Sequence, residues 1–113
     1  MTPNSLINVG TEKKDSFNMQ AELCQSLTHP FRLKILHLLE KGEKNVSDLE
    51  KMTKKNQPFI SQHLRVLREK GAVTTRREKN IVYYSLADPK ILEICKMVAE
   101  IINEKQSLEN NVQ

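Results

Sequence analysis

The apolar residues of this chain keep a helical period up to Gly71 and then switch to a period of two. Before the glycine, Ile60, Leu64 and Leu67 recur at three- and four-residue spacing, which lines them along one side of a helix. After it, "AVTTRRE" leads across "KN" into a run in which Val82, Tyr84 and Leu86 alternate with Ile81, Tyr83 and Ser85. That pattern predicts a β-hairpin with charges at its tip. The turn has no Gly, so Asn80 is expected to supply any left-handed residue. Such a hairpin needs large side chains to pack on the helices, which assigns Tyr83 and Tyr84 to its core.

The rest of the chain reads as helices with recognisable ends. Phe17, Gln20, Ala21, Cys24 and Leu27 mark a first amphipathic helix. In "LTHPFRLKILHLLEKG", Pro30 suits the first helical position, where its missing N–H is dispensable. Phe31, Ile35, Leu38 and Leu39 form the stripe of this second helix, and Gly42 is expected to end it as a left-handed cap. "NVSDLEKMT" predicts a short third helix with Asn45 as cap, Asp48 three residues on, and Val46, Leu49 and Met52 facing inward. Asn56 can cap the helix over 57–70, with Pro58 in its first turn. In "DPKILEICKMVAEIINEK", Asp88 caps and Pro89 opens a last helix. Its apolar stripe is wide: Ile91, Ile94, Cys95, Val98, Ile101 and Ile102. Residues 1–14 are polar and aperiodic and are expected to be a flexible segment. A single domain is expected over 15–106, and a disordered polar tail over 107–113.

The chain has 113 residues, 38% of them hydrophobic and none Trp. That is one small domain with a modest core, to which dimerisation would add materially. No run of about 18 apolar residues offers a membrane span. The N-terminus lacks the basic start and apolar core of a signal peptide, so the cytoplasm is the default expectation. The net charge of +4 is unevenly placed: residues 51–80 hold nine basic side chains against two acidic, and the remainder holds nine against twelve. The whole positive excess thus sits in one stretch, as on a polyanion-binding surface. No Gly-rich phosphate loop, paired-carboxylate cleft or nucleophile–base constellation is visible, so neither an enzyme nor a cofactor is expected. Cys24 and Cys95 stand far apart with no CxxC or Cys/His cluster, which argues against a structural zinc site.

The outer side of the 57–70 helix carries Gln57, Ser61, Gln62, Arg65, Arg68 and Glu69. A face needing only solubility would be filled with Lys and Glu. Amides, a hydroxyl and guanidinium groups are the donors and acceptors that meet base edges and phosphates. Helix, helix, short helix, helix, hairpin, helix then reads as a helix-turn-helix followed by a wing, mainly α with a small β element (α+β). The second helix of such a pair lies in the major groove of double-stranded DNA. At 1.5 Å per residue it would be about 21 Å long, enough to lie along that groove.

Three segments in this order, "HPFRLKIL", "SQHLRVLREKGAV" and "RREKNIVYYSL", resemble the ArsR/SmtB winged-helix repressors, over residues 20–102. The resemblance implies a homodimer paired through the first and last helices, bound to an inverted-repeat operator and released by an effector. Gln57, Ser61, Gln62 and His63 match the family's base- and phosphate-contacting positions. Arg65 is better placed as a phosphate clamp, and Arg76, Arg77 and Lys79 near the wing tip would meet the flanking backbone or minor groove. His63 also flanks the apolar stripe, so packing is its alternative role.

The family's usual metal ligands are missing: "VSDLEKM" has no thiols, and Lys90 stands where a His would follow Asp88. The residues matching its thiol-sensing branch are not reproduced either, since His37 occupies the first slot and Cys95 falls before the second. Cys24 and Cys95 nonetheless lie on apolar helix faces expected at the dimer seam. A redox switch, plain core packing and thiol-linked metal ligation all remain open for them, and the effector is unknown. The alternative from another class is a winged-helix module for protein–protein assembly, without sequence-specific DNA readout.

Overall fold

The computed structural model describes residues 15–112, with side chains through Glu109. The expected N-terminal segment over 1–14 lies outside the described residues. Seven elements follow in the order α1 (Ser16–Ser26), α2 (Pro30–Leu38), α3 (Val46–Thr53), α4 (Gln57–Glu69), β1 (Val73–Glu78), β2 (Ile81–Leu86) and α5 (Pro89–Val112).

Side chains close the helix starts. Asp15 accepts the Asn18 N–H at 2.8 Å to open α1. Asn45 and Asp48 form a reciprocal capping box on α3, at 2.8 and 3.0 Å. Asn56 accepts the Phe59 N–H at 3.0 Å, with Pro58 in the first turn of α4. At α5 the Asp88 carboxylate accepts the Lys90 N–H at 2.9 Å, and Pro89 is the first residue. The tight turn between α3 and α4 needs a left-handed residue, and Lys54 supplies it at φ 64°.

Gly71 redirects the chain from α4 into β1. Its φ is 89°, a region that L side chains rarely adopt. The Ala72 N–H reaches the Leu67 carbonyl at 2.8 Å and the Gly71 N–H reaches Arg68 at 3.1 Å, the paired bonds of a Schellman termination. The two strands then pair antiparallel from Val73↔Leu86 to Glu78↔Ile81. A third partner comes from the loop before α3, where Lys44 exchanges backbone bonds with Tyr84 at 3.0 and 2.8 Å. The wing is therefore tied to the helix-turn-helix and does not swing from Gly71 alone.

The core lies between α2, α3, α4 and the first turns of α5. Ile35, Leu36, Leu49, Ile60, Leu64 and Leu67 are fully buried, with Phe31, Leu39, Ala72, Val73, Ile91, Leu92 and Cys95 around them. Tyr84 and Leu86 pack on this cluster from the wing.

Five local expectations change. The left-handed residue of the hairpin turn is Lys79, at φ 59°, and not Asn80. The second helix stops at Leu38 with Leu39 as its cap, so Gly42, at φ 144°, closes the following turn through its N–H to Leu39. In α3 the inward partner of Leu49 is Thr53, whose hydroxyl donates to the Leu49 carbonyl at 2.7 Å. That places Met52 outside. Tyr83 stands outside the core, on the other side of the pleat from Tyr84. Finally, α5 continues through Val112, so the polar end expected to be a disordered tail from Ser107 is helical. No Pro or Gly interrupts "SLENNV", and helix propagation over such residues costs little.

The apolar stripe of α5 divides in two. Ile91, Leu92 and Cys95 are buried, whereas Ile94, Val98, Ile101 and Ile102 are about half exposed or more, as are Phe17 and Met19 of α1. Among the described residues no helix is long and apolar enough to cross a membrane.

Candidate nucleic-acid interface

Helix α4 separates into two arcs. Ile60, His63, Leu64 and Leu67 point into the core. Gln57, Gln62, Arg65 and Arg68 stand exposed on the opposite side, with Ser61 half-buried between. The Gln57 amide donates to the Ser61 hydroxyl at 2.9 Å, so these two side chains present one organised donor–acceptor pair near the helix start.

His63 does not belong to that face. It is 8% exposed, and its ring lies 4.3 Å from His29, 4.8 Å from Phe59 and 5.5 Å from Phe31, centroid to centroid. Three residues after Ile60 and one before Leu64, it falls inside the apolar arc. Burial, with help from His29 and Arg32, holds its imidazole below the usual histidine range.

The pleat of the wing places neighbouring arginines on opposite faces. Arg76 pairs across the sheet with Tyr83, and Arg77 with Val82. Arg76 is committed to protein: its guanidinium meets Glu43 at 2.6 and 3.1 Å and Glu78 at 2.7 Å, and stacks 4.7 Å from the Tyr83 ring. The Arg76 bond holds the Glu43 carboxyl below the usual carboxylate range, and the two carboxylates raise the Arg76 pKa. Arg76 thus braces the wing against the loop before α3, and the guanidinium expected to meet phosphate is held by two carboxylates in this structure. Arg77 and Lys79 are exposed and, among the described residues, form no ion pair.

Between α3, α4 and the wing lies an open groove of about 400 Å³. Asn45, Ser47, Gln57, Ser61, Asn80 and Tyr84 are among the residues that line it. Ser47 and Asn80 are additions to the sequence-predicted set. No local pattern marks them, because they come from separate segments that share this groove only in the folded chain.

Residues 29–75 match a family described as "Bacterial regulatory protein, arsR family". The chain is 38% identical over 92 residues to the biofilm growth-associated repressor of Xylella fastidiosa, spanning 80% of this chain and 81% of that one. This protein belongs to the ArsR family. It is a winged helix-turn-helix transcriptional regulator, and its fold is shared by solved relatives. One is Rv0081 of Mycobacterium tuberculosis, with TM-score 0.70, 30% identity, and coverage of 89% of this chain and 100% of that one. Another is the homodimeric winged helix-turn-helix DNA-binding domain of Mb0332 from Mycobacterium bovis, a possible ArsR-family regulator. Its TM-score is 0.72 at 26% identity, covering 85% and 94% of the two chains.

The two thiols of the regulator sit in different surroundings. Both are free; Cys24 is exposed on α1, and Cys95 is buried. Burial pushes the Cys95 thiol up, away from the reactive thiolate. The described residues contain no group of three or more His, Cys, Asp or Glu arranged to hold a metal.

Proposed function

We propose that this ArsR-family regulator is a cytoplasmic, dimeric repressor that reads an inverted-repeat operator with α4 and steadies it with the wing. The observation that carries this reading is the division of α4. Its outer face offers Gln57, Ser61, Gln62 and Arg65 beside the wing groove, while its inner arc is anchored in the core. Gln can bridge adenine through two hydrogen bonds and Ser can reach base or phosphate, whereas Arg65, Arg77 and Lys79 neutralise backbone. Dimerisation rests on the exposed apolar residues of α1 and α5. Reading an inverted repeat would require the two α4 helices of the dimer to lie about one turn of DNA apart.

The effector we test is a thiol signal through Cys24 and Cys95, set against plain packing of both thiols. Of the two candidate thiols, the exposed Cys24 is open to reagents, and Cys95 packs.

Fluorescence anisotropy against a duplex selected from a random-sequence pool tests the reading, with scrambled duplex as reference. Tight binding to the selected duplex alone is the expected result. Equal binding to both would refute sequence readout and point to the protein-assembly module instead. Repeating the titration after mild oxidation and again after reduction tests the thiol signal, which requires binding to fall and return.

A further inference from the structure

Arg32, on α2, joins the end of α1 to α4. Its Nε donates to the Ser26 carbonyl at 2.8 Å and its Nη2 to the Gln25 carbonyl at 3.1 Å, both at the end of α1. Its Nη1 lies 3.4 Å from His63 Nδ1 on α4. A guanidinium can only donate, so this contact requires an unprotonated Nδ1 on His63.

His29 carries the same requirement. It is the cap of α2, and its Nδ1 accepts the Phe31 N–H at 3.0 Å. A proton on that nitrogen would remove the cap and set one N–H against another. The two imidazoles lie 4.3 Å apart, centroid to centroid, with their planes tilted by 45°, so a charge on either also faces the other ring.

We propose that His29, Arg32 and His63 form a proton-sensitive joint that holds α4 against α1 and α2 only while both imidazoles are neutral, so that acidification releases the operator. Among the described residues, the groups that act on His63 all disfavour its charged form. From α2 the charged or titratable groups facing His63 are His29 and Arg32, and from the loop before α4 Lys55 stands 5.6 Å over the adjacent Phe59 ring. The end of α1 presents carbonyls, already used by Arg32. No carboxylate contributes to the field at His63. Protonation of His63 would set a positive charge beside the Arg32 guanidinium, and the joint relieves this by opening.

The sign separates this device from an ordinary histidine at a DNA surface. A histidine facing phosphate strengthens binding as it gains charge, whereas this pair weakens it. Because the closed joint disfavours the charged form of His63, binding is intact while that imidazole is neutral and falls on acidification. Each excluded proton steepens log Kd by about one per pH unit.

The inference rests on the DNA-binding reading, and the test keeps the two separable. Nitrogen-15 NMR of the free protein reports the tautomers of His29 and His63 directly, with no DNA present. Both rings are expected to carry their proton on Nε2. Anisotropy with the selected duplex is then followed from pH 8 to pH 5.5, alongside circular dichroism. His29→Asn keeps the cap acceptor without a titratable proton, and His63→Asn does the same toward Arg32. Each is expected to flatten the acid release, whereas His37→Gln, at an exposed position of α2, leaves it intact. Arg32→Gln removes the neighbouring charge that opposes protonation of His63 and is expected to weaken the acid release.

An Nδ1-protonated tautomer on either ring would overturn the joint. So would binding that holds or tightens on acidification, asparagine variants that keep the full release, or loss of helical signal in step with loss of binding. Absence of selective binding at pH 8 would instead strike the DNA-binding reading, leaving the tautomers to decide the joint.

Discussion

The sharpest expectation concerns Arg77, because the wing's pleat separates it from Arg76. Arg76 is spent on Glu43 and Glu78, whereas Arg77 shares a face with Val82 and Tyr84 and has no ionic partner among the described residues. Consider Arg77→Gln, which keeps a polar side chain but removes the charge. Each phosphate contact contributes about 0.9 to the slope of log K against log salt, so losing one contact per wing in a dimer should flatten that slope by about 1.8. Between about 50 and 200 mM salt this amounts to roughly a 12-fold smaller loss of affinity than the parent shows. Anisotropy titrations at four or five salt concentrations measure it. The change should be the same for selected and scrambled duplexes, since phosphate contacts position without specifying. An unchanged slope would refute the reasoning: Arg77 would then not reach phosphate.

Other perturbations probe the remaining parts. Gln62→Ala should cost about 1–3 kcal/mol of discrimination at one base pair while binding to scrambled duplex stays put. Competition titrations with single-base variants would reveal it, and undiminished discrimination would remove Gln62 from the reading face. Asn45→Ala breaks the capping box of α3 and should lower stability by about 1 kcal/mol; urea denaturation that matches the parent would count against the cap. Ile101→Glu places a charge on the exposed stripe of α5. Sedimentation velocity should then show a smaller species with its helical content retained, and an unaltered sedimentation coefficient would place the dimer seam elsewhere.

Much of the architecture was legible before any coordinates. The change of period at Gly71 separated helix from hairpin, and Pro30, Pro58 and Pro89 fell in first turns, as their missing N–H allows. Asn45, Asn56 and Asp88 cap where short polar side chains before a periodic run should. These features depend on residues three or four apart, so local spacing carries them. The same holds for the outer arc of α4, whose amides and guanidinium groups sit opposite a regular apolar stripe.

The candidate site was only half legible, for a physical reason. Whether His63 reads DNA or packs depends on what faces it, and the rings that enclose it come from His29 and Phe31, some thirty residues away on α2. Arg76 and Arg77 are neighbours of identical type, and only the register of β1 on β2, together with Glu43 from another segment, assigns one to bracing and leaves the other free. Cys24 and Cys95 look alike on apolar helix faces, yet one is exposed and the other buried. The sequence by itself determined the elements, their order and the chemistry of the α4 surface, because periodicity and capping are short-range. Tertiary structure alone decided which polar side chains face outward and which are consumed within the protein, because burial and ion pairing depend on segments that meet only after folding.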